Sequence, residues 1–265
     1  MSTVRRHPLI TFFVLAYAFS WWPLPFGGFL PLGPLVGAVI VLAITEGRAG
    51  LQELGSRVIR WRVGWIWYVV ALGSPLAVHL ITVALNVALG AGAPSLAQFS
   101  PLSGIIVVFA LRLISPLEVP LGEEPGWRGF ALLHLQADRS PLLATLILGV
   151  LVAGWHVPLL LPQYGLHPLD LLTTVAVTFW YTWLFNHTGG SVLMTIVAHA
   201  TEGIIEPSEF WAAGAAAAQG GLIYDVVWCA VAIGLVVFDW QFWRGPAPAS
   251  ATVQPAAYGY ESRER

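Results

Sequence analysis

The chain has 265 residues, 57% of them hydrophobic and 10% charged, with a mean hydropathy of +0.74. A soluble domain covers its surface with about a quarter of charged residues, so this composition excludes one and makes lipid the main solvent. The net charge of −2 leaves no basic footprint for nucleic acid, and the single cysteine, Cys229, excludes an internal disulfide and a cysteine zinc cluster and reads as packing.

Apolar runs of membrane-crossing length fall at approximately 8–27, 29–46, 64–88, 104–135, 141–161, 168–187, 190–206 and 221–243. Ala16-Tyr17-Ala18 resembles a signal-peptide cleavage site. The run continues through Phe19, Trp21, Trp22 and Phe26, which favours an uncleaved first helix. Between the second and third runs, Leu51, Leu54, Val58 and Trp61 recur at helical spacing among Arg57 and Arg60. That pattern fits a short amphipathic helix on the membrane surface, or a plain charged loop. The run 104–135 holds Pro116, Pro120, Pro125 and Gly126 and is expected to be broken. The tail 244–265, rich in Pro, Ala and Ser, is expected to be disordered.

Arg5, Arg6, Arg48, Arg57, Arg60, Arg62, Arg139 and Arg244 all fall in alternate connections, while 89–103, 162–167 and 207–220 hold no arginine. This is a positive-inside pattern. The expected fold is therefore all-α and polytopic, with about eight transmembrane helices in one domain over 1–243 and both termini cytoplasmic.

Ionisable groups at membrane depth are costly and face a protein interior or a wet cavity. They are Arg112, Glu118, Glu123, Glu124, Arg128, His134, His156, His187, His199, Glu202 and Glu206, with Asn186 beside them. Glu124 and Arg128 are four apart in the favourable order for an ion pair on one helix face. Glu123 points about 100° away from that face, so one carboxylate is neutralised and the other stays available. Were Pro125 to start a new helix, both would sit at its positive N-terminus instead. Glu123 lies about 16 residues before the turn at Arg139-Ser140 and His156 about 16 after it, which sets them at one level of a helical hairpin. His199 has a compatible depth. A carboxylate and an imidazole meeting in a low-dielectric cavity can activate water, and a second imidazole can stabilise an oxyanion. The same three side chains could instead hold Zn²⁺, or simply lock helices together.

At these residues the sequence resembles the CPBP family of intramembrane proteases, which includes the CAAX prenyl endopeptidase and bacteriocin-processing and immunity relatives. Glu123-Glu124-xxx-Arg128 resembles the family's EExxxR signature. Trp155-His156-Val157-Pro158-Leu159 resembles its second motif, and Gly189-Gly190-Ser191-Val192-Leu193 with Ala198-His199-Ala200 its third. The likeness spans about residues 45–206. It implies an intramembrane endopeptidase with Glu123 as water-activating base, His156 as its partner, His199 as oxyanion stabiliser, and Glu124 and Arg128 in support. It implies a glutamate-dependent, metal-free mechanism or a metalloendopeptidase; the unpaired Glu123 favours the former.

Two departures matter. Val152 stands where the family has Phe, and Gly203 stands where the last motif has Asn or Asp. One lost oxyanion donor costs about 2.7–4 kcal/mol of transition-state stabilisation. Glu202 could orient His199 or ligate a metal. Asn186 could supply the missing amide, or simply end its helix. The expected protein is then a protease of a bacterial inner membrane, cleaving near the cytoplasmic leaflet, whose peptide substrate enters from the membrane or the cytoplasmic side. The rivals are a catalytically weak immunity or scaffold relative and a proton- or ion-coupled transporter, which the lack of internal symmetry disfavours.

Overall fold

A computed structural model describes residues 3–205 and 207–251. Among them every regular element is helical. In chain order these are α1 (Thr3–Arg6), α2 (Pro8–Trp21), α3 (Gly33–Thr45), α4 (Arg48–Val58), α5 (Trp65–Ala88), α6 (Leu102–Ile114), α7 (Val119–Gly126), α8 (Leu133–Leu135), α9 (Pro141–His156), α10 (Asp170–His187), α11 (Val192–Glu202), α12 (Ala215–Phe238) and α13 (Trp240–Arg244). A π-helical segment, Trp127–Leu132, joins α7 to α8.

The expectation of about eight spans is met only in part. Among the described residues five helical stretches are long and apolar enough to cross a membrane: Pro8–Phe26, Trp65–Ala88, Leu102–Leu135, Pro141–Leu160 and Ala215–Phe238. The helices α3 and α11 are apolar but short, at 13 and 11 residues. The 18 residues of α10 include Thr173, Thr174, Thr178, Tyr181 and Thr182, a polar face that lowers its hydropathy. Large apolar side chains on α2, α5, α6 and α12 are exposed, among them Ile10, Leu80, Ile106 and Ile233. An exposed apolar belt of this extent fits lipid, not water. The chain is an integral membrane protein.

The predicted break in 104–135 falls at 115–118, where Pro116 ends α6 and Pro120 sits in the first turn of α7. The amphipathic segment is a helix, α4, running Arg48–Val58. Arg57, on its inner face, is buried and ion-paired with Glu53 at 2.9 Å.

Close backbone approach sets α7 in place. A Cβ on Gly122 would meet the carbonyl oxygens of Pro116 at 2.7 Å and Pro31 at 2.8 Å, and one on Gly126 would collide with Pro34 at the start of α3. Two glycines four apart thus form the face that α7 lays on α3, the packing by which membrane helices associate. Behind them Phe12, Phe13, Trp127, Phe130 and Trp155 make an aromatic cluster, with Trp127 edge-on to Trp155 at 5.7 Å and to Phe12 at 5.6 Å.

The connections gather at two ends. At one, Arg5 donates to Ile44 O, Arg57 to Ser250 O, Arg60 to Gly189 O, Ser191 to Arg60 O and Gln136 to Ala251 O. At the other, Tyr164 donates to Gly28 O, Trp211 to Gly92 O and Ser95 N to Phe210 O. The arginines outside the helical core therefore cluster at one end, as their alternation along the chain requires. The tail begins ordered: α13 covers Trp240–Arg244 and Ala251 is fully buried. The rest of the expected disordered tail lies outside the described residues.

Candidate active site

The sequence expectation of one neutralised and one available glutamate is what α7 delivers. Glu124 is fully buried, and one of its oxygens, Oε1, takes two partners: Arg128 Nη1 at 2.9 Å and His199 Nδ1 at 2.9 Å. Arg128 follows on the π-helical turn, and its guanidinium lies 4.5 Å from the centre of the Tyr181 ring. Glu123 is 3% exposed and accepts one protein hydrogen bond among the described residues, from Trp127 Nε1 at 3.2 Å. That bond occupies Oε2 and leaves Oε1 for the cavity in front of it.

This cavity, of about 230 Å³, is lined by Glu123, Arg128, His156, Tyr181, His199 and Glu202, among others. α9 brings His156, and α11 brings His199, to the cavity that Glu123 lines. His156 Nδ1 is 2.9 Å from Val152 O. A carbonyl only accepts, so Nδ1 carries the proton and Nε2 keeps a lone pair. His199 Nδ1 is likewise committed, to Glu124. Both imidazoles therefore present Nε2 to chemistry. Val152, the departure from Phe, is buried core that also borders the cavity.

The supporting residues divide. Glu202 borders the cavity but accepts from Tyr224 OH instead of orienting His199; Glu124 does the orienting. Asn186 is not brought to the site. It exchanges hydrogen bonds with Gln136, at 3.0 Å and 3.3 Å, and donates to Thr182 O at the arginine-rich end. The amide that Gly203 lacks is not supplied from there. Gly203 itself has a spatial cause: a Cβ would collide with the guanidinium of Arg112 on α6, whose Nη2 is 3.5 Å from His199 O. Of the other ionisable groups, His134 bonds Phe130 O and His187 pairs with Asp239 at 3.1 Å, both away from the cavity. Glu206 lies outside the described residues.

Among the described residues no group of three or more His, Cys, Asp or Glu side chains has metal-holding geometry.

A larger cavity of about 670 Å³ adjoins the first, sharing Asp170, Glu202, Tyr224 and Asp225 as walls and bordered by Tyr164–His167 and Gly203. The mouth thus opens at the end opposite Arg57, Arg60 and Gly189. The N-terminal half of α10, far from the arginines, lines this cavity.

Helices packed in a membrane around a buried carboxylate–imidazole centre define a class of polytopic, intramembrane site. Residues 105–205 match the model of a known family, described as Rce1-like, type II CAAX prenyl endopeptidase Rce1-like. That stretch carries all three motifs, so the resemblance to the CPBP/CAAX protease family is borne out. A comparison with curated proteins gave no match.

Proposed function

We propose that the protein is an intramembrane endopeptidase that hydrolyses peptide bonds of membrane-associated peptides or proteins with a glutamate-activated water. The observation that carries this reading is Glu123: a buried carboxylate with one oxygen tied to Trp127 and the other facing a cavity shared with two imidazoles. The family match supports protease activity, since the matched model is named for a prenyl endopeptidase.

Water held between Glu123 Oε1 and His156 Nε2 gives its proton to the carboxylate as its oxygen attacks the scissile carbonyl carbon. The carbonyl π pair moves to oxygen. The tetrahedral intermediate collapses when protonated Glu123 returns the proton to the leaving amine. His199, held at Nδ1 by Glu124, presents Nε2 to the same cavity. Glu124 and Arg128 neutralise each other, so the only unneutralised carboxylate on α7 is the base. No cofactor is required. A bacterial inner membrane is the setting this reading favours.

The test uses purified protein in nanodiscs, with and without a chelator, incubated with a library of prenylated and unprenylated membrane peptides in H₂¹⁸O. The expected result is new carboxyl termini carrying one ¹⁸O, seen by mass spectrometry. No cleavage, with the library validated on an active relative, would move the function to the immunity or scaffold reading.

A further inference from the structure

We infer that Tyr181 is a catalytic residue, its phenol hydroxyl being the hydrogen-bond donor that stabilises the oxyanion. The inference rests on the protease reading and adds a residue that neither the signature motifs nor their spacing contain.

The cavity's other hydroxyls are already engaged: Thr173 donates to Asp225, Thr174 to Asp170 O, Thr178 to Thr174 O and Tyr224 to Glu202. Glu123 offers a carboxylate oxygen. His156 and His199 have each given their Nδ1 proton away, to Val152 O and to Glu124. A neutral imidazole so arranged offers a lone pair at Nε2 and no proton, so neither histidine donates to an oxyanion unless doubly protonated. Gly203 brings no side chain, Arg112 fills the space beside it, and Asn186 is engaged elsewhere. Arg128 gives Nη1 to Glu124 and keeps a buried Nε without a partner among the described residues, so it is a charged donor lying over the Tyr181 ring.

Among the described hydroxyls that line the cavity, that of Tyr181 is the neutral donor left free. Tyr181 lines the cavity with Glu123, His156 and His199. It is 4% exposed, and its hydroxyl has no hydrogen-bond partner among the described residues. A buried phenol without a partner carries an uncompensated desolvation cost, which is offset when a substrate oxygen arrives. Its ring packs against the Arg128 guanidinium at 4.5 Å and the His199 ring at 5.3 Å. The cation over the ring face is attracted by the ring quadrupole and holds the ring in place. The rigid ring fixes the donor without a rotamer search, which is the condition for electrostatic preorganisation.

The experiment compares wild type, Glu123→Gln and Tyr181→Phe in nanodiscs on one cleavable peptide and on its phosphinate analogue, whose P–O⁻ mimics the tetrahedral oxyanion. The phenylalanine keeps the ring, its stacking and the fold, checked by an unchanged Tm. The expected result for Tyr181→Phe is a kcat lower by about 10²–10³-fold, KM within about twofold, and phosphinate inhibition weakened in step with kcat. A Tyr181→Phe enzyme with wild-type kcat and phosphinate affinity, or one impaired in KM alone, overturns the assignment while the protease reading stands. Glu123-independent cleavage, or none by wild type, overturns both, so the two failures are distinguishable.

Discussion

Glu124 Oε1 accepts from an arginine and a histidine at 2.9 Å each, at full burial. Breaking a buried pair by removing one partner costs about 3–5 kcal/mol, because the other charge stays behind. Glu124→Gln is therefore expected to destabilise the protein by that order and to free His199, whereas Glu123→Gln, which keeps an oxygen for Trp127 Nε1, leaves Tm nearly unchanged. Unfolding of both variants in detergent checks the contrast; equal destabilisation would contradict the division of labour. Half of it was readable in sequence. Glu124 and Arg128 sit four apart on one turn, so their pairing is local. The third member comes from α11, 75 residues away, and no spacing announces it. The sequence offered Glu202, three residues from His199, as its orienter; the fold gives Glu202 to Tyr224 because α12 packs against that side.

At the scale of elements, α7 is held by what it lacks. Gly122 and Gly126 let its backbone reach Pro31 and Pro34, and the π-helical turn then carries Arg128 beneath the Tyr181 ring. Gly126→Ala is expected to cost about 1–3 kcal/mol through overpacking, with loss of cleavage as Glu123 is displaced. Thermal unfolding and turnover measured together check this; unchanged values would mean that α3 and α7 separate without consequence. The break at Pro116 and the surface helix α4 were legible because proline chemistry and helical periodicity are local. The shortness of α3 and α11, and the polar face of α10, were not. They answer to a cavity whose walls come from distant parts of the chain, and Thr173, Thr174 and Thr178 read in sequence as the minor polar content of an apolar run.

Over the whole molecule, the alternation of arginines predicted two sets of loops, and the structure gathers them at two ends of one bundle. The same alternation did not reveal which end the cavity faces, since that depends on where along α9, α10 and α11 the site residues stand. With the arginine end cytoplasmic, the mouth beside Tyr164–His167 faces the outside. This orientation is tested in a Cys229→Ala background carrying Leu161→Cys or Arg62→Cys. An impermeant maleimide is expected to label position 161 in intact cells and position 62 only after permeabilisation. The reverse pattern would place the mouth in the cytoplasm and overturn the positive-inside reading.

The central claim is that Glu123 is the base, and one comparison tests it most directly. Wild type and Glu123→Gln, matched for Tm, are assayed on the same membrane peptide, with ¹⁸O incorporation at the new carboxyl terminus as the readout. General-base catalysis predicts a loss of about 10²–10⁴-fold in kcat with little change in KM. A Glu123→Gln enzyme that cleaves at the wild-type rate would contradict the account.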